Sequence, residues 1–189
     1  MSGVNFVQEA ARLRVEARRA EQLEAAYHEA RVLLLIARFT TARGSLAGLT
    51  KLAKLDFLLR YPVMLERLLP NGGRGWPAGA EPTDAERVAV ESRMTRYKYG
   101  PWDQRYYGVL ASLVARGLIT VGSPGQAEFR VTERGAAAAA SLEAAPQWAV
   151  VAARAKLLKK HFNRSGSALK NLIYDKLPDA VDRPWRAEI

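Results

Sequence analysis

Hydrophobic positions along the chain fall mostly at helical spacing. Asn5 to about Ala30 is built from Ala, Glu and Arg, all strong helix formers, with only a thin apolar stripe of Phe6, Leu13 and Leu23. The pattern predicts a helix that buries little, an arm of the kind that orders on a partner. Val32 to Ile36 is apolar on every side and predicts a central buried helix, ended by Gly44 and Ser45. Leu49, Leu52, Leu55 and Leu59 set up a second helix running to Arg60. Pro62 breaks it, and Val63 to Leu69 adds one or two turns. Four Gly and three Pro between Pro70 and Pro82 predict a flexible loop. Thr83 and Glu86 then match a capping box that opens a helix to about Arg96.

The stretch from Tyr99 to Gly135 is the most specific. Asp103 stands where an N-cap belongs and Gly117 where a C′ glycine belongs. Between them Tyr106, Leu110, Leu113 and Val114 form one apolar stripe. Leu118 to Val121 and Glu128 to Val131 are short β-prone runs around Gly122-Ser123-Pro124-Gly125, a hairpin signal. Thr132 and Gly135 begin another helix, rich in small side chains, to Ala145. This order of elements looks like the last helix and wing of a winged-helix domain, a recognition module for DNA or protein. Pro146 is suited to the start of a further helix whose Trp148, Val151, Ala155, Leu158 and Phe162 face a core. Ser165 or Ser167 caps a last helix through Leu177, which Pro178 stops. The expected fold is therefore mainly α: a winged-helix core over 26–145 with a short β-hairpin wing, an N-terminal helical arm over 1–25, and a C-terminal helical docking region over 146–189.

Charge sharpens this picture. The 189 residues include 29 basic and 19 acidic ones, a net charge of +10 that points to a polyanionic partner. The excess is patchy: residues 1–60 hold ten basic and six acidic residues, and 93–134 hold seven and three, whereas 61–92 is slightly acidic. There is no Cys, which removes disulfide and thiolate chemistry. No apolar run is long enough to cross a bilayer, and the N-terminus lacks the pattern of a secretory signal. A soluble, cytoplasmic protein without membrane contact is expected.

Catalytic signals are thin. The two histidines, His28 and His161, have no partner at ligand spacing and read as solvated. No phosphate-binding loop, dinucleotide turn, zinc-protease helix or nucleophile elbow occurs. Asp56, inside an apolar run, reads as an ion pair with Arg60 four residues on. No enzyme activity, metal or cofactor is expected. The candidate DNA-contacting residues are Arg93, Arg96, Lys98, Gln104, Arg105, Ser112, Arg116, Arg130 and Arg134, with Gln104 and Arg105 the ones best placed to read a base edge. Beyond them the helix offers Gly108, Ala111, Ser112 and Ala115, so it suits phosphate or shape contacts better than sequence reading. The aromatics Trp102 and Tyr107, and the C-terminal set Lys159, Phe162, Leu169, Ile173 and Tyr174, are candidate anchors for a protein partner.

Four motifs add a resemblance: KLAKLDFLLRYP (51–62), YKYGPWDQRYYGVLASLVARGLI (97–119), VTERG (131–135) and LKNLIYDKLPD (169–179). In order and spacing they resemble the middle component of three-component ABC-ATPase (Lamassu-type) bacterial anti-phage systems, from about Arg31 to Ile189. The resemblance implies an accessory subunit that works beside an SMC-like ABC ATPase and an effector, often a nuclease, and contacts double-stranded DNA non-specifically if at all. It implies no catalytic residues. The Ala/Arg-rich segment before about Glu24 departs from it. A stand-alone winged-helix transcriptional regulator remains the alternative.

Overall fold

The structure is a computed structural model that describes residues 3–42, 44–88, 94–97, 100–122, 125, 127–182, 184 and 189, with side chains left out at 3–8, 10, 11, 17–19, 21, 71, 72, 96 and 97. The expected arm and central helix are one element, α1 (Gly3–Phe39). Its composition changes but nothing in it breaks a helix, so the boundary expected at residue 25 falls within a continuous rod. Leu13, Val15 and Leu23 are 54, 67 and 65% exposed, whereas Val32 to Ile36 and Phe39 are buried.

After α1 come β1 (Leu46–Ala47), α2 (Leu49–Arg60), α3 (Pro62–Leu68) and a single turn, α4 (Pro70–Gly73). The glycine-rich segment that follows is pinned rather than free. Arg154 donates to the Ala80 carbonyl (2.9 Å) and the Glu81 carbonyl (3.0 Å). The capping box forms as expected: Thr83 N–H donates to Glu86 Oε2 (2.9 Å) and Glu86 N–H to Thr83 Oγ1 (3.2 Å). Its helix, α5 (Asp84–Val88), does not run to Arg96. Thr95 to Tyr97 is instead strand β2, paired with β3 (Gly100–Trp102). Thr and Tyr favour the extended form, and Gly100 supplies the φ of 91° at the start of β3.

Helix α6 (Tyr106–Ala115) carries the expected stripe with one change. Tyr106, Val109, Leu110 and Leu113 are buried, and Val114 is 43% exposed. The buried face is rotated toward α1, so the i+3 position replaces the i+8 one. Gly117, at φ 66°, ends the helix: Leu118 N–H reaches the Leu113 carbonyl and Gly117 N–H the Val114 carbonyl, both at 2.9 Å. Strands β4 (Ile119–Gly122) and β5 (Glu128–Val131) form the hairpin; its Pro124 lies outside the described residues. β1 adds to the other side of β5, giving a three-stranded antiparallel sheet ordered β1-β5-β4. Thr132 caps α7 (Glu133–Ala144) by accepting from Gly135 N–H.

The C-terminal elements are a short 3-10 turn at Pro146–Trp148, α8 (Ala149–Phe162), α9 (Gly166–Lys176) with Ser165 as its cap, and α10 (Pro178–Val181). They pack on α1 and α2. One hydrophobic core runs from Val32 through Leu58, Leu110 and Phe129 to Leu158, Ile173 and Val181, across the boundary expected at residue 145. Among the described residues no helix is long and apolar enough to cross a membrane.

Two outcomes test this packing. A Cβ on Gly135 would lie 1.8 Å from the Leu118 carbonyl oxygen, whereas one on Gly108 meets nothing within 4 Å. Gly135→Ala should therefore lower stability by about 3 kcal/mol, and Gly108→Ala should raise it by about 0.5–1 kcal/mol, read by urea denaturation. Lys54 is buried in α2 and donates to the Pro101 carbonyl (3.0 Å), tying β3 to the core. Burial, with Lys170 adding repulsion, pulls its ammonium down to about 7 from 10.5. Above about pH 7 the folded chain has released a proton that the unfolded chain keeps, so stability should rise from about pH 7 toward 10, and Lys54→Met should flatten that rise.

Candidate functional site

Helix α6 meets α1 and α2 through a buried polar cluster. The Asp56 carboxylate is fully buried and accepts from Arg31 Nε (2.7 Å), Arg31 Nη2 (3.2 Å) and the Tyr106 hydroxyl (2.7 Å), with Arg60 Nη1 at 3.6 Å. Arg31 is thus its main partner, and the expected Arg60 pair is secondary. Arg60 reaches Asp103 Oδ2 at 2.8 Å instead. Burial works to raise the Asp56 carboxyl, but the adjacent Arg31 and Arg60 cations outweigh it and hold the group ionised below its usual range. The same burial, next to that carboxylate, drives the Tyr106 phenol well above 10. Asp103 is also ionised below its usual range: its oxygens accept from the Arg105 backbone (3.0 Å) and side chain (2.9 Å), which outweighs its own burial.

His28 corrects the sequence reading. It is buried, not solvated, and its Nδ1 accepts from Arg31 Nη1 at 2.7 Å. That leaves Nε2 to carry the proton and face Glu24 Oε1 at 3.3 Å. Burial, then the Arg31 and Arg105 charges, hold the imidazole below its ordinary range and neutral. The cluster has buried titratable groups, and each meets another member. Among the described residues no group of three or more His, Cys, Asp or Glu is placed to hold a metal.

This arrangement decides where the candidate DNA residues point. Arg105 is held by Asp103 (2.8 Å) and by Glu24 of α1. Arg116 is paired with Glu29 of α1 at 2.7 Å. Ser112 is half-buried, and Gln104 is exposed ahead of the helix. Arg130 donates to the Thr41 carbonyl (3.1 Å), beside the end of α1, and Arg134 is exposed in the first turn of α7. Arg93 and Lys98 lie outside the described residues, as does the Arg96 side chain. The expected cationic face of α6 is therefore neutralised by acids of the neighbouring helix. Of those acids, Glu24 lies at the edge of the segment whose role the sequence left open, and Glu29 lies beyond it.

What α6 exposes is apolar. Tyr107 is 61% exposed and Val114 43%, with Gly108, Ala111 and Ala115 exposed between and beside them. Val121 of β4 is exposed as well. Trp102 is half-buried, with its ring 5.9 Å from that of Tyr107. Along the seam with α1 run two shallow clefts of about 350 and 390 Å³, both lined in part by Glu29. Small side chains, Gly108 and Ala25 in one, Ala26, Ala30 and Ala138 in the other, leave them open.

The C-terminal candidates are placed differently. Phe162, Leu169 and Ile173 are buried in the chain's own core and offer no surface to a partner. The reason is that α8 and α9 cover the apolar sides of α1 and α2, which the sequence reading left without a partner. Tyr174 is half-buried and abuts Gly100. Lys159 is half-buried with its ammonium 4.8 Å from the centre of the Phe39 ring. No family model, curated protein or solved structure matches the chain.

Removing the Asp56 charge tests the cluster. Asp56→Asn should cost about 3–5 kcal/mol because Arg31 would be left buried without its counter-charge. Tyr106→Phe, which removes one hydrogen bond to that charge, should cost about 1.5–3 kcal/mol. A double-mutant cycle in urea denaturation should show the two losses to be non-additive.

Proposed function

We propose that the chain is a non-catalytic subunit of an SMC-like ABC-ATPase anti-phage complex, and that it docks a protein partner through the exposed face of α6. The arrangement α1–β1–α2–α6–β4–β5 is read as a winged helix in which α6 is the recognition helix, β4 and β5 are the wing, and residues 61–105 are an insertion. The observation that carries the proposal is the character of α6: an exposed Tyr107, Gly108, Ala111, Val114 and Ala115 without a cation among them, while Arg105 and Arg116 are tied to α1. DNA affinity rests mainly on cations facing phosphates. An apolar helix face with an exposed aromatic suits a protein interface. The resemblance carried by the four sequence motifs implies the partner, an SMC-like ATPase, and the bridging role toward an effector nuclease.

The test is co-purification of the tagged chain expressed from its own operon, with an SMC-like ATPase expected among the proteins recovered. Val114→Glu and Tyr107→Ala change exposed side chains and should lower recovery of the complex at least tenfold while leaving the melting temperature of the isolated chain within about 2 °C. Full recovery with both variants would remove α6 as the docking face. A homodimer bound to one operator sequence, without an ATPase, would favour the transcriptional regulator.

A further inference from the structure

Four arginines where α1 meets α2, α6 and α7 are engaged: Arg31, Arg38, Arg105 and Arg116 each meet a carboxylate. The corner where the first turn of α2 meets the end of α8 is different. Lys51 and Lys159 direct their ammonium groups at one ring, that of Phe39, at 5.2 and 4.8 Å from its centre. Lys51 is only 8% exposed, and its hydrogen bond goes to a neutral amide, Asn163 Oδ1, at 2.9 Å. Lys160 and Arg164, exposed, continue the corner along α8 and into the turn before α9. Among the described residues none of these four cations makes an ion pair, although Lys156, on the same helix, is paired with Glu143.

Position makes Lys51 unusual. Lys159 and Lys160 lie in the last turn of α8, where the helix dipole favours cations. Lys51 lies in the first turn of α2, where the dipole opposes one, and the α2 N-terminus has no side-chain cap to offset it. Burial and the neighbouring Lys159 both push its ammonium below its ordinary range. The Phe39 ring supplies a cation–π contact but no countercharge.

We propose that Lys51, Lys159, Lys160 and Arg164 form a binding surface for the phosphate backbone of duplex DNA, separate from the α6 face. Lysines on flexible stems meet phosphates as point charges without reading bases. Lys160 and Arg164 are exposed and Lys159 half-buried over the end of one helix and the turn after it, with Lys51 behind them, an extended positive surface rather than a pocket for one anion. The net charge of +10 supplies the long-range attraction. The inference is independent of the docking role given to α6, and the two fail separately.

Fluorescence anisotropy of the full chain with a labelled duplex of about 20 bp, across a salt series and several unrelated sequences, tests it. Lys160→Glu with Arg164→Glu reverses two exposed charges and should lower the melting temperature by no more than about 4 °C, the cost of an acid at the C-terminus of α8. It should weaken binding at least tenfold at low salt, equally for all sequences, and reduce the slope of log affinity against log salt by about 2. Lys51→Gln with Lys159→Gln should act in the same direction. Arg105→Gln with Arg116→Gln should weaken binding far less than the Lys160/Arg164 variant. Absence of duplex binding by the unaltered chain would overturn the proposal. So would unchanged affinity and slope in the Lys160/Arg164 variant, or loss confined to the Arg105/Arg116 variant.

Discussion

A single carboxylate, that of Asp56, organises the centre of this molecule. It is fully buried, and a buried charge survives only when it is paired and its lone pairs are filled. Arg31 meets it from α1, Arg60 stands beside it on α2, and Tyr106 closes it from α6. Three helices distant in sequence are thereby held at one register. A purely apolar core would fix their separation less selectively, because Leu and Ile side chains tolerate sliding that a two-pronged guanidinium–carboxylate pair does not.

The consequence reaches the surface. With Arg31 committed to Asp56, His28 accepts from Arg31 and faces Glu24. Glu24 in turn holds Arg105, which also binds Asp103. The chain of pairs ends with the cations nearest α6 bound to acids, and the outer side of that helix is left with small and aromatic side chains. Among the described residues, Lys51 and Lys159 instead meet without a countercharge at the α2–α8 corner, around Phe39. One buried cluster thus separates an apolar face from a cationic one on the same small fold.

Much of the local structure was legible in the sequence, because it is decided by near neighbours. The limits of α2, the Thr83–Glu86 box, the Gly117 stop, the hairpin and the Thr132 and Ser165 caps each depend on a few adjacent residues. What depends on distant partners was not. The seven-residue separation of Tyr106 and Leu113 fixes a helix face, but only the position of α1 decides that Val109 is buried and Val114 exposed. Strand β2 forms because β3 lies beside it, and the helical pattern before Arg96 cannot reveal that. Phe162, Leu169 and Ile173 read equally as core or as interface until α1 and α2 are seen beneath them. One signal for the cluster was present: Arg31 adjoins the all-apolar Val32–Ile36 run, and Asp56 lies inside another apolar run. Opposite charges in two buried helices must find each other.

The proposed division between an apolar face for protein and a cationic corner for phosphate is tested most directly by amide hydrogen exchange. It would be measured on the full chain alone and in complex with the proposed ATPase partner. The account expects added protection over 104–116 in the complex, with 159–176 unchanged because that segment is already protected in the chain's own core. Protection gained over 159–176, with α6 exchanging as in the free chain, would contradict it.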